Sequence, residues 1–224
     1  MKVRNYNLIF FALVLLTSVI SPKARADTAA SSEYRVKAAF LFNFIKFVDW
    51  PGEKENEKKP IIVGILGKNP FGDAFAPIKN KKVKGRNLII KEFESFKDFK
   101  RYEENDKSEF DKKMKAVREC HVLFICLSEK KYLKEILDFV QDQSILTVGD
   151  MSNFVESGGI TNLLLEEKKV RFEINVTAAR KAGLQIRSQL LRMAKRVVDK
   201  KDVGRSIEST ERQNASYAES DDKT

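Results

Sequence analysis

The sequence predicts an α/β domain: a mainly parallel sheet with an added antiparallel hairpin and helices on both faces. Three observations carry this. Apolar runs of strand length recur at 61–66, 88–93, 121–127 and 144–148. Helical or charged stretches separate them, as in strand–crossover–strand units whose strands pair in parallel. After residue 160 the rhythm changes to two segments, 160–166 and 169–175, separated only by Glu167-Lys168. A two-residue connection between strands makes a hairpin.

The elements follow in order. Residues 33–48, EYRVKAAFLFNFIKFV, predict a helix with more apolar surface than one stripe requires. Asp49-Trp50-Pro51 ends it, because proline disfavours helix in the residue before it. After a polar loop, IIVGIL (61–66) predicts a buried strand. Asn69-Pro70 opens a short helix through Phe75, with proline in a first helical turn. A second strand spans 88–93. In the charged stretch 94–119, Phe93, Phe96, Phe99 and Tyr102 recur every three residues, which predicts an amphipathic helix or turn. The third strand covers 121–127. The helix 130–141 follows, with Leu133, Ile136, Leu137 and Val140 on one face, and the fourth strand covers 144–148. Asp150 is expected to cap a short helix, MSNFVES, closed by Gly158-Gly159. The hairpin turn Glu167-Lys168 lacks the preferred Gly or Asn. Asn175 caps a helix, VTAARKA, ended by Gly183; residues 184–187 are extended; Ser188 caps a final helix, QLLRMAKRVV.

Two flanks lie outside this domain of residues 27–198. At the start, MKVRNYN is basic, residues 8–20 are apolar, and Ala24-Arg25-Ala26 offers small residues where a signal peptidase reads. This predicts a cleavable secretory signal peptide over 1–26 and a periplasmic location. The apolar run falls short of the roughly 18–20 residues that span a bilayer. At the other end, residues 199–224 are polar and without apolar periodicity, which predicts a disordered tail.

Residues 27–224 carry 38 basic and 32 acidic side chains, a net charge of +6. Export argues against nucleic acid as the partner. Along the chain the basic residues interleave with acids, the pattern of a solvated surface, and an anionic membrane or an acidic protein stays compatible with the excess. Cys120 and Cys126 are the only cysteines. Six residues of strand would hold them roughly 20 Å apart, whereas a disulfide needs Cα atoms within about 7 Å. Two buried thiols are expected, unless the chain dimerises through this strand.

Chemistry-bearing patterns are few. His121 is the only histidine and sits in a strand, as a core or edge histidine would. A zinc site needs more ligands than the chain offers, and neither a nucleophile elbow nor a phosphate loop is present. Neither catalytic residues nor a cofactor are expected. A carboxylate pair, Glu166 and Glu173, could meet across the hairpin. Trp50 suits either a core plug under a loop or a partner contact. Arg171 and Glu173 share one strand face, and Gln185 and Arg187 share another. If these pieces are neighbours, Arg171, Gln185 and Arg187 could bind a small anion through paired hydrogen bonds.

Several blocks resemble one family. They are KAAFLFNFIKFVDWP (37–51), CHVLFI (120–125), ILTVGD (145–150), Gly158-Gly159-Ile160, VRFEIN (170–175) followed by AARKAGL (178–184), and LLRMA (190–194). In this order they are similar to the YfiR family of periplasmic proteins, over about residues 33–198. The resemblance implies a non-enzymatic α/β repressor, often a homodimer. It would bind the periplasmic part of an inner-membrane diguanylate cyclase and hold it inactive, lowering cyclic di-GMP and biofilm formation. An outer-membrane lipoprotein can sequester such repressors. By position, Ile160 and Glu173 would join Trp50 in partner binding, and Gln185 and Arg187 would lie near a small-ligand pocket. Family members with redox control carry two cysteine pairs; this chain has a single pair of cysteines. A solute-binding or sensor domain with a small anionic ligand is the alternative.

Overall fold

The computed structural model describes residues 22–52, 59–79 and 81–199, with side chains from residue 31 onward. The tail 200–224 and all but residues 22–26 of the expected signal segment lie outside the described residues.

Helix α1 (Pro22–Phe47) runs directly into β1 (Val48–Asp49). Strand β2 (Ile61–Leu66), the hairpin β3 (Lys82–Val83) and β4 (Arg86–Phe93), and helices α2 (Phe96–Asn105) and α3 (Lys107–Arg118) follow. Then come β5 (Val122–Ile125), a 3-10 turn at Leu127–Tyr132, α4 (Leu133–Val140), β6 (Leu146–Gly149), β7 (Thr161–Glu166) and β8 (Lys169–Asn175). The chain closes with α5 (Val176–Lys181), β9 (Gln185–Ile186), α6 (Ser188–Met193) and β10 (Arg196–Val198).

An eight-stranded sheet has the order β10-β8-β7-β6-β5-β2-β4-β3. From β7 to β4 every neighbour is parallel; β8 joins β7, and β3 joins β4, antiparallel. The central strands are buried on both sides, which is why they read as unbroken apolar runs. Ile61, Val63, Ile65, Val122 and Phe124 pack with Leu41, Phe44 and Ile45 of α1. On the other face, Leu123 and Ile125 pack with Phe96 and Phe99 of α2, Met114 and Val117 of α3, and Leu133, Ile136, Leu137 and Val140 of α4. The expected α/β sheet with a hairpin and helices on both faces is present. Cys120 and Cys126 are buried free thiols flanking β5, as expected. Both edges of β5 are already paired, to β2 and β6.

Local chemistry explains most boundaries. Asn175 Oδ1 accepts from the Ala178 amide at 2.9 Å, the expected cap of α5. The stretch 94–119 divides into two helices, because Ser95 caps α2 and Asp106 caps α3, the latter accepting from the Glu109 amide at 3.1 Å. The hairpin turn places Glu167 and Lys168 at φ 48° and 63°, the left-handed pair a two-residue turn demands.

Four expectations are corrected. Helix α1 begins at Pro22, upstream of residue 33. Residues 71–79 and 151–158 form successive turns, not short helices. Asp150 caps nothing; its carboxylate accepts instead from Tyr34 and Lys37 of α1. The final helix stops at Met193 and has Arg187, not Ser188, at its cap position. Ala194 is extended (φ −67°, ψ 138°), the Lys195 amide donates to the Phe172 carbonyl at 2.8 Å, and β10 pairs in parallel with β8. The β-branched pair Val197-Val198 suits that strand.

Candidate functional site

The β7–β8–β10 end of the sheet gathers ion pairs beside exposed apolar side chains. Register sets Arg196 opposite Glu173, and its Nε donates to Glu173 Oε1 at 2.6 Å while Nη2 donates to Glu156. These bonds, to Glu173 first and then Glu156, hold the Arg196 guanidinium still more firmly protonated, and Arg196 in turn lowers the Glu156 pKa. Lys195 reaches Glu166 at 2.5 Å. Leu165, Met193 and Val197 are 54%, 62% and 42% exposed; the register sets Leu165 and Val197 on the Ile174 face of the sheet, with the Glu173–Arg196 pair on the other face. Exposed apolar groups bordered by polar ones have the anatomy of a protein interface. Glu166 and Glu173, which could have met across the hairpin, are not opposite each other: Glu166 faces Lys169 and Glu173 faces Asn162.

Ile160 lies one residue before β7 and is buried, with its amide donating to Thr147 Oγ1 at 3.0 Å. It lines a cleft of about 430 Å³ with Leu137, Val140, Ala178, Lys181 and Val198. A partner therefore meets Ile160 only through that cleft.

The ligand-facing candidates fall on two separate sheets. Arg171 is exposed on β8, opposite Leu164. Gln185 belongs to β9, which pairs with β1 and sets Gln185 opposite Asp49, and Arg187 follows directly at the cap position of α6. The strand carrying Arg171 and the β9 segment that leads into Arg187 lie in different sheets, so the condition for a two-guanidinium pocket is not met by strand pairing. Arg187 instead forks onto Asp49, with Nε at 3.0 Å from Oδ2 and Nη2 at 2.8 Å from Oδ1. Lys84 joins from the β3–β4 turn, at 3.0 Å from Asp49 and 2.6 Å from the Val48 carbonyl. Arg187 first, then Lys84, pull the Asp49 carboxyl down to about 2 against the cost of partial burial. Nothing in the local sequence marks Asp49, since neither partner is near it in the chain.

Trp50 follows directly and is 8% exposed, edge-on to His121 with centroids 5.8 Å apart and under Lys84. It is a core plug, and its indole Nε1 is buried without a hydrogen-bond partner among the described residues. His121 is half-buried, its Nδ1 3.2 Å from the Ile62 amide and its Nε2 2.8 Å from Arg86.

At the opposite ends of the strands, Asp150 forms a buried pair with Lys37 at 2.8 Å; Tyr34 also donates to it at 2.8 Å. Burial, then Asp150, pushes the Tyr34 phenol up, so it stays a donor at working pH. Among the described residues no His, Cys, Asp and Glu cluster could hold a metal, and no helix is long and apolar enough to cross a membrane.

Comparisons place the chain. A family profile described as YfiR/HmsC-like matches residues 34–195, from within α1 to the residue before β10. None of the curated proteins matches. Among solved structures, a conserved domain protein from Vibrio cholerae O1 biovar El Tor is 14% identical with a TM-score of 0.44, over 66% of this chain and 60% of that one. An ABC domain in complex with L-Trp from Streptococcus pneumoniae is 10% identical with a TM-score of 0.41, over 62% and 55%. The chain thus spans less than two thirds of either protein.

Proposed function

The chain belongs to the YfiR/HmsC-like family, and on that premise we propose that it binds the periplasmic sensor region of an inner-membrane diguanylate cyclase and represses it. At family level the role is that of a periplasmic regulator of diguanylate cyclase, regulatory rather than catalytic. The observation that carries the proposal is the extent of the match, which takes in the helix, the sheet and the hairpin together.

The β7–β8–β10 end is our partner surface. Leu165 and Val197 would supply apolar contact area on one face of this edge, and Glu173 with Arg196 polar contacts on the other, so that the partner would wrap the β10 edge. Ile160 and Trp50 would contribute from beneath, by shaping the cleft and by wedging the β1 segment. Repression requires better binding to the inactive than to the active receptor state, and each tenfold preference is worth about 1.4 kcal/mol. A small anion at Gln185 and Arg187 is a second ligand consistent with the site, but it must compete with Asp49 for the guanidinium. Homodimerisation, and sequestration by an outer-membrane lipoprotein, complete the reading.

The test is cellular cyclic di-GMP. Deleting the gene is expected to raise cyclic di-GMP and biofilm formation, and a copy with residues 1–26 is expected to restore both. A copy starting at residue 27 should not. Unchanged cyclic di-GMP on deletion, or rescue by the leaderless copy, would overturn the proposal. Leu165→Glu combined with Val197→Glu should abolish repression while leaving the melting temperature within a few degrees.

A further inference from the structure

Between Asp73 and Glu92 the chain holds Lys79, Lys81, Lys82, Lys84, Arg86 and Lys91 and no acid. Those six cations equal the entire basic excess of residues 27–224, so everything outside this stretch is balanced. The whole-chain pattern of interleaved charge conceals this exception.

The fold sorts the six. Arg86 turns inward to the carbonyls of Lys59 and Pro60, Lys84 goes to Asp49, and Lys91 to Glu119. Lys79, Lys81 and Lys82 remain exposed with no acidic side chain in ion-pair range among the described residues, as does Lys59. They surround β3, the last strand of the sheet. Lysines on an edge strand also discourage strand-to-strand aggregation. That role does not require an acid-free run, and the opposite edge behaves otherwise: its Lys195 and Arg196 are both paired to glutamates. Register sets Lys82 opposite Asn87, and Ile89, two residues on, shares their face and is 40% exposed. Cations beside an exposed aliphatic side chain match the chemistry of a phospholipid surface, with phosphate outside and hydrocarbon beneath.

We propose that the β3–β4 edge docks on the anionic phospholipid headgroups of a bilayer. The inference rests on the reading that the protein works beside a membrane-bound partner. Seven strand spacings of about 4.8 Å leave the β8–β10 edge up to about 34 Å away and free for that partner.

The experiment uses the exported chain and vesicles, with no cyclase present, so its failure is separable from failure of the repressor reading. Sedimentation with phosphatidylglycerol-rich vesicles at low salt is expected to retain the protein, and phosphatidylcholine vesicles to leave it in solution. High salt should release it, because exposed charges are screened. Each lysine near an anionic surface contributes roughly fivefold in partition. Lys79→Gln, Lys81→Gln and Lys82→Gln together should therefore weaken retention about a hundredfold. The control triple Lys100→Gln, Lys112→Gln and Lys134→Gln removes the same charge from acid-paired lysines and should weaken it by no more than a few-fold. Matched melting curves confirm that both variants fold. No retention by phosphatidylglycerol, equal loss in both triples, or capture by polyglutamate without capture by vesicles would overturn the proposal; the last outcome would point to an acidic protein.

Discussion

Replacing Lys37 by methionine tests what holds α1 against the ends of the strands. The Lys37 ammonium is 5% exposed and lies 2.8 Å from Asp150 Oδ2 and 2.5 Å from Glu33. Lys37→Met keeps the aliphatic stem and leaves the Asp150 carboxylate, 3% exposed, without its counter-charge. Breaking one side of a buried pair costs roughly 3–5 kcal/mol. The lower end applies here, because Tyr34 still donates to the carboxylate, although the other oxygen, Oδ1, is buried with no hydrogen-bond partner among the described residues. At about 2–4 °C per kcal/mol for a chain of this size, melting should fall by roughly 6–12 °C. Adding Asp150→Asn removes the stranded charge and should return most of that loss. Urea unfolding followed by circular dichroism measures both variants. A single-mutant loss below about 1 kcal/mol, or a double mutant no better than Lys37→Met, would refute the account of α1 docking.

Other perturbations separate the remaining features. Glu167→Asn with Lys168→Gly gives the hairpin residues that accept the left-handed region, and should raise stability by about 1–2 kcal/mol in the same assay. Burial pushes both Cys120 and Cys126 up to about 12; neither should react with a disulfide reagent in the native protein, both should react in urea, and reductant should leave melting unchanged. Asp49 has its carboxyl pulled below its ordinary value of 3.8 to about 2, so the stability it lends is full above 3.8 and disappears as pH falls towards 2. Arg187→Ala should flatten that part of the acid limb, with a small effect because the pair is about half exposed; an unchanged acid profile would count against the pair. Gly67→Ala should destabilise strongly, since Gly67 has φ +96° and a Cβ there would lie 2.3 Å from Glu129 Oε1.

The strands and the hairpin were legible because burial on both faces leaves an apolar run and a two-residue connection leaves only one pairing. Asn175 was legible as a cap because capping is local. What escaped depended on distant partners. Arg196-Val197-Val198 reads as helix until Phe172 offers its carbonyl, and Asp150 reads as a cap until α1 brings Lys37 beside it. Trp50 is compatible from sequence with either a core plug or a partner contact, and Ile160 is a contact candidate only through the family resemblance; both are buried, because burial is decided by what lies across the fold. Asp49 was missed for the same reason, since its cations come from the β3–β4 turn and from β9.

The small β1–β9 ladder ties Val48 to Ile186, and Asp49 to Arg187 across 138 positions of chain. Phe44 of α1 likewise packs on Phe172, 5.1 Å between ring centroids. The first helix therefore has no finished seat until residues 172–187 are available. Contacts this remote in sequence slow folding, because the closure of a long loop must come before any reward. For a chain exported as we propose, the delay is useful: the emerging N-terminal half lacks the partners that would lock it, and stays threadable until its C-terminal segments arrive on the same side.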